Sequence, residues 1–203
     1  MNLVAPALLS RRPRTGPTLL LALSLLAPLA APAQTGSPPA PLQTIERLDV
    51  ARYMGTWHEI AKYPNWFQRS CATDTQARYR QREDGQLDVV NRCRQANGEM
   101  TEAVGRARQV GAADSPRLEV RFAPAWLSWL PMVWGNYWVV DLDPAYQLVA
   151  VSEPQREYLW VLSRTPTVDA AAYQALLERL TAQGFDVGRL ERTAQTGRQK
   201  AAQ

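Results

Sequence analysis

The chain has 203 residues with 23 basic and 19 acidic side chains, one histidine and two cysteines, which is one domain's worth once a targeting segment is set aside. The first 33 residues hold three of the arginines, Arg11, Arg12 and Arg14, and no acid, so the remainder carries 20 basic against 19 acidic side chains. A near-neutral domain without a Lys/Arg cluster excludes nucleic acid as the expected partner.

Residues 1–33 read as a signal peptide: a basic region, an apolar run over 17–29, and Ala31-Pro32-Ala33 as a small-residue cleavage site. The run is too short and too interrupted by proline to span a bilayer. Arg11-Arg12 is followed by Pro13 and Arg14 instead of the apolar residue a twin-arginine signal requires. With no cysteine at the cleavage site, the expectation is an exported chain, periplasmic or secreted, without a lipid anchor. Residues 34–46 are rich in proline and small side chains and read as a disordered leader, 47–192 as the folded domain, and 193–203 as a flexible tail.

Asp49 caps one helical turn, which feeds the strand Tyr53-Met-Gly-Thr-Trp-His-Glu-Ile-Ala61. Trp57, Glu59 and Ala61 share one face of that strand, and His58 lies on the other. Residues 62–70 form a loop carrying Trp66 and Phe67, which need something apolar to fold over. Strands over 73–81 and 87–94 are joined by a hairpin turn at Asp84-Gly85. Cys71 and Cys93 flank that ladder; export permits a disulfide between them, two buried free thiols being the alternative.

Strands over 100–110 and 117–122 follow, with small Ala103, Gly105 and Ala107 sharing a face of one, and Leu118, Val120 and Phe122 a face of the other. Residues 123–136 hold Trp126, Trp129 and Trp134 and are too apolar for a solvated loop. That connection reads as a cavity cap, a partner or lipid contact, or minor core on the barrel itself. Strands over 137–143, 146–152 and 158–163 complete eight in an up-and-down meander. Thr167 then caps a helix over 168–183 that ends at Gly184, with Val168, Ala171, Ala172, Ala175, Leu176 and Leu180 in one stripe. Residues 185–190 read as a short final strand.

The Gly55-Thr-Trp57 step opening the first strand and Tyr158-Leu-Trp-Val-Leu-Ser-Arg164 about 100 residues later come in the order found in lipocalins. The chain resembles that family, and most closely its apolipoprotein D and bacterial outer-membrane members. The resemblance implies an all-β fold, an eight-stranded antiparallel up-and-down β-barrel with the helix packed outside. It also implies a structural trio of Gly55, Trp57 and Arg164, with the guanidinium packed on the indole at the barrel floor.

Eight such strands close around a space for one small ligand. Alternation with Trp57 inward puts Glu59, Ala61, Ala77, Tyr79, Val89, Asn91, Phe122, Tyr137, Val139, Trp160 and Leu162 on the inner wall. The expected ligand contacts are Glu59, Phe67, Tyr79, Asn91, Phe122, Trp126, Tyr137, Val139, Trp160 and Leu162. A mostly apolar lining with few polar anchors suits a fatty acid, lysophospholipid or similar lipid whose head group reaches the mouth. The loops at 62–70 and 123–136 fall at that open end and are expected to form a greasy rim. Membrane contact through the second loop is the companion reading, with a monomer or homodimer as the assembly.

An enzyme is the rival class. His58 faces away from the pocket, Asp141 and Asp143 read as a turn start before Pro144, and no nucleophile motif, metal spacing or phosphate loop stands out. Glu59, the one candidate for chemistry inside, reads as an anchor for a ligand head group. No catalytic residue, cofactor or metal is therefore expected.

Overall fold

A computed structural model describes residues 40–124, 127, 128 and 130–198. A short helical turn, α1 (Val50–Tyr53), is capped by the Asp49 side chain, which accepts from the Arg52 N–H. Eight strands follow: β1 (Gly55–Lys62), β2 (Thr73–Gln81), β3 (Leu87–Arg94), β4 (Met100–Gln109), β5 (Arg117–Arg121), β6 (Gly135–Leu142), β7 (Leu148–Ser152) and β8 (Leu159–Ser163). Each pairs antiparallel with the next, and β1 pairs with both β8 and β2, which closes the barrel. The connections at 82–86, 110–116 and 143–147 lie at one end with α1. Those at 63–72, 95–99, 122–134 and 153–158 lie at the other, the open end.

Two cores form on the two faces of the wall. Inside are Trp57, Tyr79, Leu87, Val89, Ala107, Leu118, Val139, Val149, Val151 and Leu162, together with Leu48 and Tyr53. Outside, α2 (Ala170–Ala182) seals Ile60, Tyr63, Val140, Ala150, Leu159 and Val161. The helix does so through Leu176 and Leu180, both 0% exposed, with Tyr173 and Leu177 alongside. Ala171, Ala172 and Ala175 of the expected stripe are exposed instead, because the longer side chains reach across the gap to the sheet. The cap is Asp169, whose carboxylate accepts from the Ala172 N–H, and not Thr167.

The inward alternation also breaks at bulges in β1 and β6. A bulge between Glu59 and Ala61 sets Ala61 opposite Val161, so both Ile60 and Ala61 join the outer core, contrary to the expectation that Ala61 lines the pocket.

Both ends of the domain are packed further out than the sequence reading placed them. Leu42 is 3% exposed within the outer core, and the Ile45 N–H donates to the Val139 carbonyl, so the leader joins the fold before residue 46. Residues 185–190 are not a strand: Asp186 caps a helical turn over Val187–Arg189. The next two residues form β9 (Glu191–Arg192) against β1, and the tail continues between β1 and β2 where these diverge beyond His58. There the Thr193 N–H donates to the Ile60 carbonyl and the Asp74 N–H to the Ala194 carbonyl. Gln195 Nε2 donates to the carbonyls of Glu59 and Thr75, so the tail bridges strands that do not reach each other.

Candidate functional site

The floor comes first, because it sets the depth of the interior. Trp57 is 0% exposed and its Nε1 donates to the Tyr53 carbonyl at 2.9 Å. The Arg164 guanidinium stands 3.9 Å from the Trp57 ring centroid. Its Nε donates to the Tyr146 carbonyl, its Nη1 to those of Met54 and Thr56, and its Nη2 to that of Arg52. One cation thereby satisfies four backbone acceptors where α1 enters the barrel. Gly55 adopts φ +98°, and a Cβ there would sit 3.2 Å from Arg164 Nη1, which explains the glycine two residues before the tryptophan.

Above the floor the lower interior is filled. Tyr53, Tyr79 and Tyr137 meet through their hydroxyls, Tyr137 lying 2.7 Å from Tyr53 and 2.9 Å from Tyr79. Burial raises all three phenols above their ordinary value, Tyr79 to about 12; Tyr53 and Tyr79 push Tyr137 up further, and Tyr79 does the same to Tyr53 against the opposing hydrogen bond with Tyr137. Tyr79 and Tyr137 were expected on the wall; that Tyr53 from α1 completes a cluster with them was not. The signal available was Tyr53 at the end of a capped turn, one strand before the floor tryptophan.

The upper interior remains accessible. Asn91 pairs with Ala77 on one side and Ala103 on the other, on the same face as buried Val89, and all three keep accessible surface. Phe122, 43% exposed, lies across Gly105: a Cβ on that glycine would come within 2.7 Å of the Phe122 ring, so a bare backbone makes room for it. Val120, Tyr137 and Trp160 are partly buried against the inner core, while Val139 and Leu162 are sealed within it.

The rim is aromatic on one side. Phe67 lies 5.5 Å from Tyr158 and 6.2 Å from Trp160, and the last two stack at 5.8 Å. Trp66 meets Phe67 edge to face and is 67% exposed. Glu59 is 2% exposed and its carboxylate is held by protein donors, Gln68 Nε2 at 2.8 Å and Thr193 Oγ1 at 2.6 Å. Gln68 Oε1 accepts in turn from Trp160 Nε1 and Asn65 Nδ2. Burial raises the Glu59 pKa even though the Thr193 and Gln68 hydrogen bonds favour the anion. Glu59 thus ties rim to tail rather than offering a free anchor, and sequence reasoning missed Gln68 and Thr193 because no pattern links side chains so far apart.

A disulfide joins Cys71 to Cys93 at this end, with Cα atoms 5.4 Å apart. Trp126 and Trp129 lie outside the described residues. Trp134 does not face the mouth: its ring packs 4.2 Å from the Arg108 guanidinium and 5.2 Å from that of Arg121, both on the outer face of β4 and β5, and its Nε1 donates to the Ser128 carbonyl. Among the described residues the aromatic rim is built from the 63–72 and 153–158 connections, while Trp134 of the Trp-rich loop clasps the outer wall.

Asp141 and Asp143 are not an acid/base pair. Asp141 accepts two hydrogen bonds from Arg179 of α2, and Asp143 takes the N–H groups of Ala145, Gln147 and Leu148 in the turn. Among the described residues no cluster of three metal-ligating side chains occurs.

A family model described as a lipocalin-like domain matches residues 48–195. The chain is 37% identical over 157 residues to temperature-induced lipocalin-1 of Arabidopsis thaliana, covering 76% of this chain and 83% of that one. It is 34% identical over 179 residues to the outer membrane lipoprotein Blc of Escherichia coli strain K12, covering 88% and 97%. With apolipoprotein D of Mus musculus it shares 30% over 164 residues, covering 78% and 82%. Among solved structures, insecticyanin of the tobacco hornworm Manduca sexta superposes with a TM-score of 0.58 at 17% identity, covering 75% of this chain and 83% of that one. Lobster apocrustacyanin A1 superposes with a TM-score of 0.57 at 11% identity, covering 72% and 79%. At such identities the structural likeness concerns the fold.

Proposed function

The chain belongs to the lipocalin family, and from that premise we propose that it is an exported binding protein that holds one small hydrophobic or amphiphilic lipid, a fatty acid or lysophospholipid, in its barrel. The observation that carries this reading is the division of the interior. A sealed floor and packed lower half support an accessible, mostly apolar upper half that opens past Phe67, Tyr158 and Trp160. An alkyl chain entering there gains about 0.8 kcal/mol per buried CH₂, so about a dozen carbons outweigh the cost of association and give micromolar binding. Ala77, Asn91, Phe122, Tyr137 and Trp160 are the residues proposed to touch it, with Phe67 at the rim. Export rests on the basic, apolar and small-residue pattern of residues 1–33. No bond-making step is part of the reading, since Glu59, Asp141 and Asp143 are each committed to protein partners.

Docking of the 123–136 loop on a membrane is the weaker alternative, because Trp134 is already held between two arginines. The test is native mass spectrometry of the purified processed protein, followed by extraction and lipid analysis. A co-purifying fatty acid or lysophospholipid near one per chain supports the reading. A clean apo mass, with no tryptophan-fluorescence response to a panel of such lipids, overturns it.

A further inference from the structure

The three tyrosines that cap the packed half of the interior carry more protons than they use. Three hydroxyls bring three protons, and only two contacts join them, both made at the Tyr137 oxygen. Tyr53 is 1% exposed and Tyr79 is 6% exposed, and among the described residues neither hydroxyl has another partner. Leaving either buried proton unmatched costs about 1–3 kcal/mol, so both donate to Tyr137, whose oxygen has two lone pairs to receive them. Tyr137 then accepts twice, and its own O–H is the spare donor. It is also the half-buried member of the three, standing where the packed lower interior meets the accessible upper one.

We propose that the Tyr53–Tyr79–Tyr137 hydroxyl cluster is a recognition subsite for an uncharged oxygen acceptor, a carbonyl or hydroxyl at the inward end of the ligand. This rests on the reading of the barrel interior as a lipid site and adds to it a polarity and an orientation. The acceptor is uncharged because the subsite has no cation to give. Arg164, beyond Trp57, spends its donors on four backbone carbonyls, and a buried carboxylate held by one phenol would be left largely unpaired. Burial keeps the phenols protonated at neutral pH, so the cluster stays a donor. A carbonyl seated there satisfies the spare proton, whereas an alkyl terminus leaves it unmatched. An anionic amphiphile binds in the opposite sense, with its head group at the mouth.

The test compares 12-carbon probes of one length, 2-dodecanone, 1-dodecanol, dodecanoate at pH 8 and 1-dodecene, by quenching of tryptophan fluorescence. The wild-type protein is expected to bind ketone and alcohol about 2–10-fold more tightly than the alkene, the range of one neutral hydrogen bond, with dodecanoate tracking the alkene. Tyr137→Phe brings that ratio to one, whatever its effect on the affinity for the alkene itself, while Tyr79→Phe, which leaves the Tyr137 proton free, preserves it. In wild type the stretch of ¹³C-carbonyl-labelled 2-dodecanone shifts to lower frequency than in hydrocarbon solvent, a readout that does not depend on how the variants fold. Equal affinity for ketone and alkene, an unshifted carbonyl, or a preference that survives Tyr137→Phe overturns the subsite alone. Failure of every probe, the alkene included, to bind the wild-type protein overturns the binding reading beneath it.

Discussion

At the closed end a fully buried indole is fixed from above by Tyr53, its ring centroid 5.0 Å away, and from below by a guanidinium that also ties four backbone carbonyls. At the open end Trp66 and Phe67 are 67% and 47% exposed, held by edge contacts with other aromatics and by one disulfide. The same kinds of side chain do different work in the two places. Aromatic area buried on all sides goes into stability, whereas aromatic area left open is free to be buried by a ligand.

Variants that break the comparison fall in order of size. Trp57→Ala removes the floor and is expected to cost about 3–5 kcal/mol in denaturant unfolding while leaving the lipid affinity of the folded fraction little changed. A large affinity loss at unchanged stability would reverse the roles of the two ends. Replacing Cys71 and Cys93 together with serine opens a loop of 22 residues and should cost about 3 kcal/mol, so the open end carries part of the stability as well. Phe122→Ala has the opposite profile, about 1 kcal/mol or less in stability against an affinity loss of about five-fold, measured by lipid titration.

The smallest effects are pH-dependent and sharpen the picture of the seam between β1 and β2. Burial holds the Glu59 carboxyl above its ordinary 4.5, so the folded chain binds that proton more tightly than the unfolded one. Its contribution is fully present below 4.5 and is lost as pH rises through the raised folded value. Asp74 runs the other way. Against the push of partial burial, hydrogen bonds from Thr196 and Arg94 bring it down to about 2, so its contribution is present above 3.8 and lost as pH falls toward 2. In thermal unfolding across pH, Glu59→Gln should flatten the change above 4.5 and Asp74→Asn the change below 3.8. A wild-type profile unchanged by both substitutions would remove the carboxylate latch on the tail.

The period-two alternation made most of the wall legible. It placed Tyr79, Val89, Val139 and Leu162 inward because burial on one face forces that pattern on a strand. It could not show the bulge after Glu59, where one extra residue turns Ala61 outward. Contacts that arise only when distant segments meet were also hidden, including Thr193 on Glu59, Tyr53 on Tyr137 and Trp134 between Arg108 and Arg121. The tail looked loose because its hold comes from polar side chains between diverging strands, a device with no hydrophobic signature.

Methyl-labelled NMR during titration with lysophosphatidylcholine tests the central claim, that ligand enters the upper interior, most directly. Two adjacent pairs serve as reporters, since Val89 and Ala103 sit on the inner face of the β3–β4 ladder and Val90 and Val104 on the outer. Saturable shifts at Ala103 and Val89, with Val90 and Val104 unmoved, are the predicted result. Shifts confined to the outer pair, or to neither, would contradict it.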